Sequence, residues 1–421
     1  MRFMFTTFAS LPHLQLQAPA AWALRTAGHE VCIASQSDIM PEVRSLGLTG
    51  IEVGHPLELN SYVERGGPLP GRHAPADIAE SDPQVLTPAY TQTALTIYGQ
   101  FISGQLADDQ MLADTLAFAQ AWRPDMIIWD ALTYTGPVVA QTLNLPHVRT
   151  LFGPDYFAAM VESHQRHGLT QENPLSRWLR SRFAPGVEVP DGEGAFHELL
   201  FGMATIDPLP PPLARRVNHG LHLPCRFIPM NACGVIDTDW LLSSKRPVVC
   251  VTLGYSSRAY GLPSPHLQAI LTGLSRLDID VVATLNADQL QGIHIPGNVH
   301  VYEYLPLDLI LRHCAVVISH FGINTLGTVV KHGLPQLYVG DGLDMWGGSR
   351  VAEDMVATGA ALAVHAQDLT ASAIEDRVNT LLTNPSHRAA AHRLQEHLER
   401  IPPPHSLVPK LERMIELPHL H

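Results

Sequence analysis

Residues 318 to 335 read ISHFGINTLGTVVKHGLP. An apolar strand runs into His320, then into small and polar residues, then into the apolar stretch Leu326–Val330, which Gly333 closes. The pattern predicts a strand, a tight loop and a helix. A helix start carries unpaired backbone N–H groups and partial positive charge, so an anion beside Gly322, Ile323, Asn324 and Thr325 would be held by several bonds at once. Phosphate is the natural guest, with His320 adding a hydrogen bond and Thr325 a hydroxyl. Taken alone among 23 histidines, His320 reads more simply as a strand-end cap and Thr325 as an ordinary N-terminal helix residue. The rest of the chain has to decide.

Working outward, the same grammar recurs. PVVCVTLG, DVVATL, VHVYEYL, AVVISH and PQLYVG read as buried strands with helices between them. The first half opens with the strand RFMFTTF, the loop ASLPH, a helix through LQAPAAWALRTAG ended by Gly28, and the strand HEVCIAS, a right-handed βαβ unit. WRPDMIIWD and LPHVRTLFG supply further strands, separated by a helix through YTGPVVAQTLN. Alternating strands and helices in two runs of similar size predict an α/β protein: two doubly wound, Rossmann-like domains facing across a cleft, covering residues 1–230 and 231–421. The last helices, from about residue 386 to 421, are expected to return to the first domain. Neither first loop carries G-x-G-x-x-G, which argues against a nicotinamide dehydrogenase.

At 421 residues the chain is long enough for two cores. Its net charge of −13 argues against a nucleic-acid partner, which needs a basic face. No apolar run reaches membrane-spanning length and no signal peptide opens the chain, so a cytoplasmic protein is expected. Cys32, Cys225, Cys233, Cys250 and Cys314 form no CxxC pair, so neither a disulfide framework nor a zinc site is expected. Three of them, Cys32, Cys250 and Cys314, sit in or beside strand-like stretches as small hydrophobes.

The segments SHFGINT, KHGLPQL and GDGLDMWGGSRVAEDMVATGAAL, together with SLPHLQLQAPAAWALRTAGHEV, WRPDMIIWDALTYTGPVVA, LFGPD, ATIDPLPPPL and VCVTLGYSSR, resemble macrolide-type antibiotic glycosyltransferases of the GT-B fold. The likeness runs along almost the whole chain and is greatest to desosaminyl transferases of the erythromycin kind. It implies that His320 touches the α-phosphate of a nucleotide sugar, that Gly322 is a loop glycine, and that Thr325 holds the β-phosphate. It implies further that Asp344 contacts donor-sugar hydroxyls, that Gly254 and Ser256 form the other phosphate-proximal loop, and that the backbone at Tyr304 and Leu305 reads the base. Arg258 reads as a phosphate contact or as the partner of an acid. Phe321 and Asn324 stand where many relatives have glycine. Asn324 tolerates a left-handed backbone and is expected to keep the turn, whereas Phe321 is expected to narrow the pocket. Met345 follows Asp344 where transferases using fully hydroxylated glucose often have glutamine, and an apolar residue there suits a TDP-deoxysugar.

His13, directly after the first strand, should face the cleft. The resemblance makes it the general base that takes the proton of an attacking alcohol, with inversion at the anomeric carbon. Asp130 resembles the carboxylate that orients this base, and otherwise reads as an N-cap. Asp155 reads as a loop or cap residue, and Trp122, Trp129 and Trp346 as packing residues. The segments from about His55 to Gln100 and His164 to Val189 are expected to be loops shaped around a hydrophobic polyketide or macrolide-type acceptor. No cofactor or metal is expected beyond the nucleotide sugar as co-substrate. The family also implies a P450-like activator protein as a partner for some members and leaves a homodimer open. A nucleotide-sugar epimerase of the same fold, or a non-catalytic nucleotide-sugar-binding partner subunit, would be the competing readings.

Overall fold

A computed structural model describes residues 1–58, 75–168, 174–183, 193–209, 213, 220–231, 239–254, 266–340 and 347–416. The first sheet contains β1 (Arg2–Thr6), β2 (Glu30–Ser35), β3 (Gly50–Glu52), β4 (Met126–Asp130), β5 (His147–Thr150), β6 (Ala204–Asp207) and β7 (Leu221–Pro224). Their order is β3-β2-β1-β4-β5-β6-β7, and neighbouring strands pair in parallel. The second sheet contains β8 (Val248–Thr252), β9 (Asp280–Thr284), β10 (Val299–Tyr302), β11 (Val316–Ser319), β12 (Gln336–Val339) and β13 (Ala361–Val364), in the order β10-β9-β8-β11-β12-β13. It too is parallel. A parallel strand covered by helices on both faces must be apolar on both, and MIIWD, VVCVT and VVIS are buried along their whole length.

The helices that matter for the cleft are α1 (Leu11–Thr26), α2 (Thr135–Thr142), α3 (Tyr156–Gln165), α4 (Ile323–Lys331), α5 (Pro385–Arg400) and α6 (Val408–Glu416). Through Ala390, Ala391, Leu394 and Leu398, α5 packs in one apolar cluster with Leu326 and Val330 of α4. The chain then returns to the first domain, as the sequence suggests. Leu407, Leu411 and Met414 are buried among Phe3, Phe5 and Leu14, and His29 Nε2 lies 3.0 Å from Glu412 Oε1.

Four short strands, β3, β6, β7 and β13, go beyond the strands read from the sequence. They have only three or four residues each. The acceptor-loop expectation needs a larger correction. Within His55–Gln100, residues 59–74 lie outside the described residues, but Pro88–Ala94 is α-helical and Leu95–Ile102 continues it as a π-helix. Ile78, Leu86, Leu95 and Tyr98 belong to a buried cluster with Trp129 and Tyr134. The proline and glycine content hid an apolar face that closes the first domain's core. In the second such segment, residues 169–173 and 184–189 lie outside the described residues. His164 is buried there, with its Nδ1 2.9 Å from Thr91 Oγ1. Trp129 is a packing residue, fully buried, as are the free cysteines Cys32, Cys225, Cys250 and Cys314. Cys233 lies outside the described residues.

Trp129 Nε1–H donates to His147 Nδ1 at 3.2 Å, inside the sheet. Burial pushes the His147 pKa down from 6.5 to about 3, and it raises that of the nearest carboxylate, Glu198, 3.8 Å away. His147 therefore binds a proton less readily in the folded chain than in the unfolded one. Its contribution to stability is complete above about pH 6.5 and is lost as pH falls from there toward 3. Asn at this position keeps an acceptor for Trp129 and does not titrate. The melting temperature of His147→Asn should thus fall less steeply than that of the wild type over this pH window.

Candidate active site

In each sheet the strand order reverses between two central strands, β1 and β4 in the first and β8 and β11 in the second. The crevice outside the carboxyl ends of such strands is where doubly wound proteins bind ligands. His13 and Asp130 lie at the first of these points, Gly254 and the His320–Thr325 segment at the second.

The first domain positions His13 on the opening turn of α1, which begins at Leu11; the sequence reading had left this residue in the loop. Pro12 at the start of the helix fixes its backbone without costing a bond. His13 Nδ1 lies 2.7 Å from Asp130 Oδ2, and the side chains are 13% and 2% exposed. A carboxylate oxygen only accepts, so Nδ1 carries the proton and Nε2 of the neutral ring keeps its lone pair. The other carboxylate oxygen accepts the N–H of Leu132 at 2.9 Å. Asp130 thus braces its own turn and His13 together, while the following helix starts only at Thr135.

Two aromatic residues that the sequence reading passed over clasp the imidazole: Phe8, with ring centres 4.5 Å apart, and Phe152, at 4.6 Å. Their signal was their place just after β1 and β5. The Phe8 loop is itself fixed, because Phe8 N–H donates to Thr133 Oγ1 at 3.0 Å and Ala9 N–H to Gln36 Oε1 at 2.7 Å. Asp155 is a cap, as expected: it accepts the N–H of Ala158 at the start of α3 and pairs with buried Arg149.

In the second domain α4 begins at Ile323, earlier than Leu326, so Asn324 and Thr325 belong to its first turn. Gly322 is the N-cap and no side chain caps the helix. The N–H groups of Ile323, Asn324 and Thr325 precede the first intrahelical bond, Leu326 N–H to Gly322 O. Gly322 is exposed, and nothing lies within 4 Å of where a Cβ would stand on it. The space before the helix start is open. His320 is half-buried, with Nδ1 2.5 Å from Val339 O. A carbonyl cannot donate, so Nδ1–H points at Val339 and only Nε2 is left for a ligand.

The left-handed residue of this turn is Phe321, with φ +53°, and not Asn324, which is helical. Nor does Phe321 hang over Gly322. Its ring is 3% exposed and meets Tyr338 edge-on at 5.3 Å, inside an apolar cluster. Asn324 turns toward the other domain, donating through Nδ2 to Pro12 O and to Gln15 Oε1, both at 3.0 Å. The lobes also meet where a Cβ on Gly153 would stand 3.5 Å from Ile323. At Gly347 (φ +73°) a Cβ would come within 2.5 Å of Ala79 and 2.8 Å of the Tyr156 ring. No side chain fits there.

Gly254 follows β8 with φ +85°, open on its Cβ side. Tyr304 is exposed beyond the edge strand β10, and Leu305 is buried. Ser256, Arg258, Asp344, Met345 and Trp346 lie outside the described residues.

Two doubly wound domains that meet at their switch points, one holding a carboxylate-tethered imidazole and the other an open helix start, form the GT-B architecture of glycosyltransferases. Comparison with known proteins gives the branch. Residues 22–254 match the family described as "Erythromycin biosynthesis protein CIII-like, N-terminal domain" and residues 268–414 its C-terminal domain counterpart. The chain belongs to this family and is a glycosyltransferase. It is 35% identical to aclacinomycin-T 2-deoxy-L-fucose transferase of Streptomyces galilaeus, with 98% of this chain and 96% of that one covered. Identity to 3-alpha-mycarosylerythronolide B desosaminyl transferase of Saccharopolyspora erythraea is 30%, over 97% of each. The glycosyltransferase VinC, solved in complex with DTDP, matches with a TM-score of 0.86 and 34% identity, covering 99% of this chain and 100% of that one.

Replacing Phe321 by Gly would relieve the left-handed backbone by about 1 kcal/mol but remove a buried ring worth roughly 3–5 kcal/mol. Phe321→Gly should therefore lower unfolding free energy by about 2–4 kcal/mol in denaturant titration.

Proposed function

We propose that the protein is an inverting glycosyltransferase that moves a deoxysugar from a TDP donor to a hydroxyl of a hydrophobic polyketide or macrolide-type acceptor. The observation that carries this reading is the bond from His13 Nδ1 to Asp130, which engages that ring nitrogen and leaves Nε2 as the one available to act as the base. His13 Nε2 takes the acceptor's proton as its oxygen attacks the anomeric carbon. The C–O bond forms on one face while the bond to the diphosphate breaks on the other, which inverts the centre. Phe8 and Phe152 keep water from the ring, and Asp130 stabilises the imidazolium that results.

Negative charge then builds on the leaving diphosphate. The N–H groups at the start of α4, the Thr325 hydroxyl and His320 Nε2 are the protein's donors for it. Gly254 lets a second loop approach closely, and Asp344 and Met345 would meet the sugar. This chemistry asks for no cofactor. The names of the relatives, transferases of 2-deoxy-L-fucose and of desosamine, and the DTDP bound to VinC support the choice of donor. Burial of Phe321 away from Gly322 removes the main reason for preferring a non-catalytic binding subunit.

Because His320 Nδ1–H is committed to Val339, donation from Nε2 requires a second proton. Calorimetry with TDP should show tight binding. His320→Ala should weaken it about tenfold or more, near 1.4 kcal/mol. No binding of TDP by the wild type would overturn the donor assignment. Once a donor and acceptor pair is found, His13→Ala and Asp130→Asn should each lower kcat by about 10²–10⁴ with TDP affinity unchanged. Activity surviving in both would remove His13 as the base.

A further inference from the structure

Asn324 sits on the opening turn of α4, where its sequence position suggests a ligand for the donor phosphates. Its side chain does something else. Both Nδ2 hydrogens are used, one on Pro12 O and one on Gln15 Oε1. The remaining atom, Oδ1, has no hydrogen-bond partner among the described residues; as an acceptor it has nothing to offer an anion. The orientation is unambiguous. Pro12 O can only accept, and Gln15 is itself fixed because its Nε2 donates to Met230 O at 3.0 Å, which turns Oε1 toward Asn324.

We propose that Asn324 is a positioning residue that pins the helix start carrying His13 to the helix start that faces the diphosphate. The relay runs Asn324 to Gln15 to Met230 and reaches the segment joining the two sheets. Pro12, which takes the other bond, is the residue before His13. The pin then fixes the separation of the two helix starts, and base and leaving group are held in register across the groove between them. A misplacement of the order of 1 Å between such groups can cost about a hundredfold in rate. The catalytic consequence rests on the proposed function; the pin itself does not.

Hydrogen exchange tests it in the whole chain without ligand, on peptides covering residues 10–22 and 320–331. Asn324→Ala should speed exchange in both peptides by about tenfold, since local opening is governed by such bonds. Gln15→Ala, which leaves α4 untouched, should do the same, and the double variant no more than either single one. Asn324→Asp, which keeps the shape but cannot donate, should behave as Ala does. Circular dichroism and melting curves identify any variant that has lost its fold, and the remaining ones still decide the matter. With TDP added, exchange in both peptides should slow in the wild type, but only that of 320–331 in the variants, at affinities within about threefold of the wild type.

The pin is overturned if the variants leave the 10–22 peptide at its wild-type rate, or if the two single effects add. It is also overturned if Asn324→Ala weakens TDP about tenfold with that peptide unchanged, the mark of a phosphate ligand. Should the wild type bind no TDP, the proposed function fails, while the ligand-free comparison still decides the pin.

Discussion

In a parallel strand-to-helix unit the backbone donors left over at the helix start all gather at one edge of the sheet. This protein uses that constraint twice. In each domain the order of strands reverses at the centre, so two neighbouring connections part to opposite faces and open a crevice just where the donors are. Bringing the two crevices together yields a site with one lobe suited to a proton and the other to an anion. Secondary structure alone accounts for the location; the side chains decide what each half can do.

The difference between the halves lies in two histidines that share a tautomer and that the proposed function gives opposite tasks. Both carry their proton on Nδ1, because the partner in each case can only accept. Beside Asp130 this leaves His13 with a lone pair and a counter-charge ready for the imidazolium. Beside the neutral Val339 carbonyl it leaves His320 with no such counter-charge, and the charge that would favour its second proton is the ligand's own. Partner chemistry, more than the imidazole itself, separates a base from an anion ligand.

Much of this was legible in the residues. Buried apolar strands alternating with glycine-ended helices led to two doubly wound domains, the missing dinucleotide fingerprint spoke against a dehydrogenase, and His13 and Asp130 stood out by their places at strand ends together with the resemblance to glycosyltransferases. What escaped was of two kinds. A strand such as GIE is too short to carry a period, and part of the apolar face across residues 76–102 lies in a π-helical stretch that breaks the 3.6-residue spacing. The turn after His320 misled for another reason. Apart from glycine, Asn is among the residues that most easily adopt a left-handed backbone, yet that conformation falls on Phe321, whose burial against Tyr338 outweighs the strain. Preference gave way to packing, and Asn324 was free to reach across the cleft.

The chain passes between the lobes twice, once in the segment after β7 and once where α5 gives way to α6. The two passages are joined to each other: Arg226 N–H donates to Pro402 O at 2.8 Å, and the Arg226 guanidinium donates to Glu399 O at 3.1 Å. A single tether would let the lobes twist, slide and swing. Two tethers bound side by side behave as the spine of a book, resisting shear and torsion while permitting the covers to part. Were the lobes to part, the paired tethers would confine them to one angular coordinate, along which the Asn324 contacts to Pro12 and Gln15 would break and re-form in the same register.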